Sequence, residues 1–154
     1  MINCIGCGAE VPDIEYPAHA DMRTSPGCWS LFSELLDREF SSPEYWPAHQ
    51  LTVNAYALQH SASNPALHLI ALCLRFDLGF SDDRILPVMR RASKAKESLP
   101  SVEAPSAPNT VTVLDVCKAT DAKEHIAAVE RWAKSVWDSW SESHGTIRAL
   151  TARL

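Results

Sequence analysis

The chain has 154 residues and a formal net charge of −5 at pH 7, with 46% hydrophobic and 21% charged residues. These values are those of a folded globular domain with a sound core, and they exclude an intrinsically disordered chain. The acidic charge disfavours binding to the phosphate backbone of nucleic acids, and the longest apolar run, Leu69 to Leu74, is too short to cross a bilayer.

The N-terminal part of the chain is rich in glycine, proline and small side chains and shows no lasting periodicity. Such a segment buries little apolar surface alone, so a bound metal is a reasonable way to order it. Cys4 and Cys7 enclose two residues, the spacing that lets a tight turn present two thiolates to one zinc ion. His19 and Cys28 follow within reach of the same ion. We therefore predict a closed Cys3His zinc site that holds residues 1–28 in shape, with the ligands Cys4, Cys7, His19 and Cys28.

Other interpretations of these cysteines remain open. A redox C-x-x-C of the thioredoxin type needs a βαβ context, which the sequence lacks, and the cysteines could also be incidental. Within the zinc hypothesis, Asp13, Glu15 or Asp21 could take the place of His19 as the fourth ligand.

Hydrophobic periodicity and capping signals predict helices over most of the remaining chain. The first starts at Ser25-Pro26 and extends through Phe40, the second runs from about Pro47 to His60, and the third runs from Pro65 to about Leu78. The fourth is capped by Ser81 and reaches about Lys96. A short helix from Thr112 to Ala119 and a long last one from Thr120 or Asp121 through Ile147 complete the chain. The third is apolar nearly all round, which predicts a central position. Pro87 should kink the fourth or delay its start. Three prolines predict an extended loop over residues 98–110.

The predicted fold class is therefore all-α, a compact helical bundle with a zinc-clipped, irregular N-terminal segment, in a single domain over residues 1–154. No basic start and no apolar run precede Cys4, as a signal peptide would require. Five cysteines without an export signal favour reduced thiols or metal ligands over disulfides. We therefore expect a cytoplasmic protein.

The histidines of the second and third helices form another candidate site. His49 and His60 share a helix face with Tyr56, but about 16 Å of helix separates the two imidazoles, so they cannot bind one ion. A short hairpin should bring His60 and His68 to the same end of the bundle, where His144 could join them. Three histidines there would make an open metal site that activates water, with the catalytic candidates His49, Tyr56, Gln59, His60 and His68. The alternative is that these polar groups satisfy one another inside the bundle.

Five phrases of the sequence also stand out together. They are Cys4-Ile-Gly-Cys7-Gly, Ser25-Pro-Gly-Cys28-Trp29, His49-Gln-Leu-Thr-Val-Asn-Ala-Tyr56-Ala-Leu-Gln-His60, His68-Leu-Ile-Ala-Leu-Cys-Leu and Trp132-Ala-Lys-Ser-Val-Trp137-Asp-Ser-Trp140-Ser-Glu-Ser-His144. Over nearly the whole chain they resemble a family of small bacterial proteins described as a domain of unknown function. The resemblance implies a bacterial source and a whole-chain domain, and it supplies no activity. That family often carries an acidic residue where Asn54 stands. Because asparagine has no carboxylate, the resemblance implies no role for a carboxylate at this position in this chain.

The sequence favours a small zinc-binding helical protein that acts in protein interaction or regulation, with zinc as its cofactor and another protein as its partner. The alternative is a metal-dependent enzyme, a hydrolase or transferase, with a histidine-lined cleft between the second and third helices. No membrane partner is expected. Nucleic acid ranks lowest among the partners because of the acidic charge, although four basic residues form a local cluster, namely Arg90, Arg91, Lys94 and Lys96.

Overall fold

The computed structural model describes residues 1–17 and 19–154, and this part of the chain is mostly helical, as predicted. Its α-helices, in chain order, are α1 (Pro26–Ser41), α2 (His49–Gln59), α3 (Pro65–Phe76), α4 (Asp82–Lys94), α5 (Val113–Cys117), α6 (Ala122–Ser139) and α7 (His144–Thr151). Single 3-10 turns precede α2 and α7 and follow α4, at Trp46–Ala48, Ser141–Ser143 and Lys96–Ser98.

The N-terminal segment contains a small hairpin that the sequence did not predict. Strand β1 (Ile2–Asn3) pairs antiparallel with β2 (Glu10–Val11), and Ile2 lies opposite Val11. The segment expected to be irregular therefore contains one short regular element. Each strand has only two residues, which is too short for the alternation of polar and apolar side chains that identifies a strand in sequence.

Proline marks two helix starts as predicted, and a side chain caps a third helix. Helices α1 and α3 begin at Pro26 and Pro65, where the missing proline N–H costs nothing. The Thr112 side chain accepts a hydrogen bond at the start of α5 in a capping box. Ser25 differs from expectation, because its hydroxyl does not cap α1. It accepts a hydrogen bond from the backbone N–H of Ile5 at 2.9 Å instead, which ties the N-terminal segment to the start of α1.

Two predicted helices differ from their observed form. Pro87 does not delay α4, which begins at Asp82 and continues through the proline. The long last helix is wrong, since it divides into α6 and α7 after Ser139. The His144 ring packs face to face on the Trp137 ring, with centroids 3.7 Å apart, and its Nε2 donates to the Trp137 carbonyl at 2.8 Å. The same carbonyl also accepts from the Trp140 N–H at 3.1 Å, so His144 is its second donor at the end of α6.

Helix α3 is central, as its apolar sequence predicts. It packs against α2, α4, α6 and α7 and buries Leu69, Ile70, Leu72 and Leu74. Trp132 of α6 is fully buried in the same core. In the described part of the chain, no helix combines the length and the apolar character needed to span a membrane.

The cap of α6 gives a test of this helix assignment. The Asp121 carboxylate accepts a hydrogen bond from the Glu124 N–H at 2.8 Å. We expect Asp121→Ala to lower the free energy of unfolding by about 1 kcal/mol, because it leaves a backbone donor of the longest helix without its cap. Chemical denaturation measures this loss, and Lys123→Ala, an exposed change in the same first turn, is the control. Equal losses in the two variants would contradict the assignment.

Candidate metal centre

Four side chains from three separate parts of the chain meet in one buried cluster, Cys4, Cys7, Cys28 and His60. Each residue offers one potential ligand atom, and these four atoms all lie within 4.8 Å of one another. The Sγ atoms of Cys7 and Cys28 are 3.9 Å apart, and Cys28 Sγ lies 3.4 Å from His60 Nε2. A tetrahedral zinc ion with Zn–S bonds of about 2.3 Å holds its sulfurs about 3.8 Å apart, so the spacing suits a metal without rearrangement. All four residues are at most 4% exposed, and the cysteines form no disulfide.

A tight turn between β1 and β2 presents the first two thiols. Its backbone is closed by hydrogen bonds from Cys4 N to Ala9 O at 2.8 Å and from Gly8 N to Cys4 O at 3.0 Å. Gly8 adopts φ +81°, a conformation that strains any other residue. Gly6 donates its N–H to Cys4 Sγ at 3.4 Å, and a Cβ on Gly6 would come within 2.6 Å of the His60 ring. Glycine is therefore required where the turn meets the imidazole.

Cys28 comes from the first turn of α1, where the positive end of the helix dipole favours a thiolate. The Tyr56 hydroxyl donates to Cys28 Sγ at 3.4 Å. The oxygen of the same hydroxyl is 2.6 Å from Thr24 Oγ1 and can accept a hydrogen bond from it. Two buried hydroxyls thus stabilise negative charge on this sulfur.

His60 ends α2, and its ring is oriented by a bond within its own helix. Nδ1 donates to the backbone carbonyl of Tyr56 at 2.7 Å, which leaves the Nε2 lone pair directed towards Cys28. A histidine that ligates a metal almost always donates its other ring N–H in this way. The ring also lies parallel to that of Tyr56 at 3.8 Å, and Arg23 N donates to the His60 carbonyl at 2.7 Å.

The close contacts within the cluster shift the pKa values of its members in different directions. Hydrogen bonds from Cys28 and Cys7 lower the pKa of Cys4, whereas the hydrogen bond with Cys28 raises the pKa of Cys7. Burial opposes protonation of His60, but its hydrogen bonds to Cys28 and Cys4 outweigh burial and raise its pKa to about 9. The surroundings of His60 therefore favour a positive charge on its ring, and a bound divalent cation would take the place of that proton.

The sequence model of a family described as "Family of unknown function (DUF5946)" matches residues 2–141, which include all four residues of the cluster. The chain belongs to this family. The predicted resemblance to a family without assigned function is thus confirmed. No curated protein and no solved structure matches the chain.

The structure places His60, and not His19, beside the three cysteines of this family member. His19 is exposed, with its ring 5.3 Å from that of Trp29 and its Nδ1 accepting from Asp21 N at 3.1 Å. The alternative ligands Asp13, Glu15 and Asp21 are also exposed and outside the cluster. Proximity in sequence suggested His19. The short link between α1 and α2 was a signal that could have identified His60. It makes the two helices antiparallel neighbours, so that the end of α2 lies beside Cys28.

The other histidines each have a partner of their own. His49 Nδ1 lies 3.0 Å from Glu39, and His68 Nδ1 lies 2.8 Å from Asn54 Oδ1. Burial lowers the pKa of His68. His144 bonds the end of α6, as described above. Among residues 1–17 and 19–154, no second group of three potential metal ligands occurs, so the predicted convergence of His60, His68 and His144 is not observed.

Gln59 and Tyr56, the remaining catalytic candidates, make structural hydrogen bonds. The Trp132 indole donates to Gln59 Oε1 at 2.9 Å, and Gln59 Nε2 donates to the Val111 carbonyl at 2.8 Å. Tyr56 supports Cys28. Of the cysteines outside the cluster, Cys73 is buried in the core and Cys117 is half-buried against it. Burial raises the pKa of Cys73 and raises that of Cys117 to about 11.

The role of Gln59 can be tested separately from the metal cluster. Gln59→Ala leaves the buried Trp132 indole and the Val111 carbonyl without partners, and we expect it to lower the free energy of unfolding by about 2 kcal/mol or more. Metal content per chain should stay unchanged. Gln50→Ala, at an exposed position of the same helix, is the matched control for denaturation and elemental analysis. Loss of metal without loss of stability would show that Gln59 serves the cluster instead.

Proposed function

We propose that the chain is a bacterial, cytoplasmic helical module in which one structural zinc ion, bound by Cys4, Cys7, Cys28 and His60, fixes the N-terminal segment for protein interaction or regulation. The observation that carries this proposal is the buried group of four potential ligand atoms within 4.8 Å of one another. A cluster of this kind without an ion would bury a shared negative charge, which is costly unless a cation compensates it.

The donor set favours zinc over other common cations. Three thiolates and one imidazole form a typical structural zinc set, whereas magnesium and calcium prefer oxygen ligands. Four protein ligands complete a tetrahedral shell, so a bound ion would have no open position for water or substrate. The reducing cytoplasm would keep the thiols available as ligands.

The centre would connect four parts of the chain. The tight turn carries Cys4 and Cys7, α1 carries Cys28, and α2 ends at His60. The proline-rich loop joins them, because Asn109 Nδ2 donates to the Cys7 carbonyl at 3.2 Å. Because the ligands come from separate elements, the free energy of metal binding would stabilise this end of the fold directly.

An interaction role is supported by the surface of the N-terminal segment. Large apolar side chains are exposed at Met1, Ile2, Ile5, Ile14 and Tyr16. Exposed apolar side chains close together mark surfaces that bind other proteins. A zinc ion would hold this segment in one conformation and so lower the entropy cost of binding a partner.

The alternative of a metal-dependent hydrolase or transferase between α2 and α3 is less well supported. His60 is directed into the cysteine cluster, and His68 is paired with Asn54. The proposed zinc shell is closed, which suits a structural ion and not a catalytic one.

Metal content tests the proposed ligand set. Protein purified under reducing conditions without added metal should contain about one zinc ion per chain by elemental analysis. His60→Ala should bind zinc at least about tenfold more weakly, because a ligand and its tautomer-fixing bond are lost together. His19→Ala is the matched control and should retain the metal. The proposal fails if the wild-type protein contains no zinc, or if the His19 variant loses zinc as the His60 variant does.

Zinc removal should act on one end of the fold. A strong chelator is expected to expose the amides of residues 2–11 to hydrogen exchange and to lower the melting temperature, because the hairpin strands are too short to persist alone. The amides of α3, buried in the helical core, should stay protected. Added zinc should restore the original exchange pattern. Unchanged exchange at the hairpin after verified zinc removal would contradict a structural role.

A further inference from the structure

A second polar network lies at the start of α2 and is independent of the cysteine cluster. Its centre is Glu39 of α1, a carboxyl group only 1% exposed. Glu39 receives hydrogen bonds from His125 Nε2 at 2.7 Å, from His49 Nδ1 at 3.0 Å and from the Thr52 hydroxyl at 2.5 Å. Burying a carboxylate is costly without such donors, so the network is a specific arrangement and not an incidental contact.

The direction of the hydrogen bonds follows from Arg38. Its guanidinium lies 3.4 Å from His125 Nδ1 and can only donate, so that nitrogen accepts. His125 is then neutral and gives its single ring N–H to Glu39. The same carboxylate takes the Nδ1–H of His49. In the neutral His49 ring, Nε2 therefore carries a lone pair.

His49 also lines a groove. His49 and Glu39 line an open groove of about 790 Å³ between the segment before α2 and the start of α4. The side chain of His49 is 13% exposed. In the part of the chain that the structure describes, Nε2 makes no protein hydrogen bond, and no buried side-chain nitrogen or oxygen lacks one. Solvent therefore reaches Nε2, and a ligand in the groove could replace that water.

The groove combines exposed apolar surface with negative charge. Phe40, Trp46 and Leu86 line it and are all exposed, and the Trp46 ring lies parallel to that of His49 at 4.6 Å. Asp82 and Asp83, in the first turn of α4, also line the groove; Asp82 is paired with Arg75 at 3.2 Å, whereas Asp83 forms no ion pair among the described residues. A hydrogen bond from Ser81 holds the pKa of Asp83 below its usual range, so this group is ionised at neutral pH. No lysine or arginine is among the described residues that line the groove.

We propose that this groove binds an organic ammonium ion with an apolar body. The N–H groups of the ligand donate to His49 Nε2 and lie near the carboxylate of Asp83, while the apolar body covers Trp46 and Phe40. The aromatic faces favour a cation, and the acidic residues of the groove disfavour an anion of the same shape. Glu39 acts as a positioning residue, because it holds the His49 ring in the tautomer that accepts.

A pair of probes that differ in charge tests the site on the 154-residue chain. Benzylammonium should shift the NMR signals of the Trp46 indole and the His49 ring saturably, whereas benzoate at equal concentrations should not. Trp137 and His144, the other parallel tryptophan–histidine pair, serve as an internal control and should not respond. The same spectra at alkaline pH should show His49 as the Nδ1–H tautomer. Absence of a shift, an equal response to benzoate, or the Nε2–H tautomer would each overturn the proposal.

Variants of single acidic residues separate a local site from general attraction to an acidic protein. Asp83→Asn should weaken benzylammonium binding by about twofold, as expected for one exposed charge interaction. Glu97→Gln removes the same charge at an exposed position that does not line the groove, and it should leave the affinity unchanged. Circular dichroism checks that both variants are folded. Equal weakening in both would show attraction by net charge alone and would overturn the assignment.

Discussion

The packing of the start of α1 against the end of α2 is the constraint on which the cysteine–histidine cluster depends. Because these helices are joined by a short link, they run antiparallel, and the first turn of one meets the last residue of the other. Cys28 and His60, 32 positions apart in sequence, therefore lie 3.4 Å apart through Sγ and Nε2. The hairpin turn with Cys4 and Cys7 closes the cluster from the other side, and Gly6 lets it approach the imidazole.

Tyr56 connects this cluster to the helical core. Its backbone carbonyl orients His60, its hydroxyl donates to Cys28, and its ring lies parallel to Phe32 at 3.8 Å. Hydrogen bonds around a metal centre orient its ligands and fix their tautomers. Tyr56 thus joins the cluster to the packed helical bundle.

The sequence predicted those features that depend on local chemistry. Proline at the first helical position located α1 and α3, and the C-x2-C spacing located the turn with Cys4 and Cys7. Features set by contacts between distant segments were missed. His60 enters the cluster through helix packing, and the network at Glu39 joins α1, α2 and α6, so no local pattern marks either of them. The division between α6 and α7 accompanies one side-chain bond, from His144 to the Trp137 carbonyl.

The two ends of α2 use the same device for different chemistry. His60 and His49 both donate through Nδ1 to a fixed acceptor, a backbone carbonyl in one case and a buried carboxylate in the other, and each keeps Nε2 for a further contact. At His60 that contact is enclosed by thiols and fully buried, which suits a permanent ion. At His49 the same atom meets solvent in a groove, which suits a ligand that enters and leaves. The difference in burial, and not the type of residue, therefore separates a structural from a binding role along one helix.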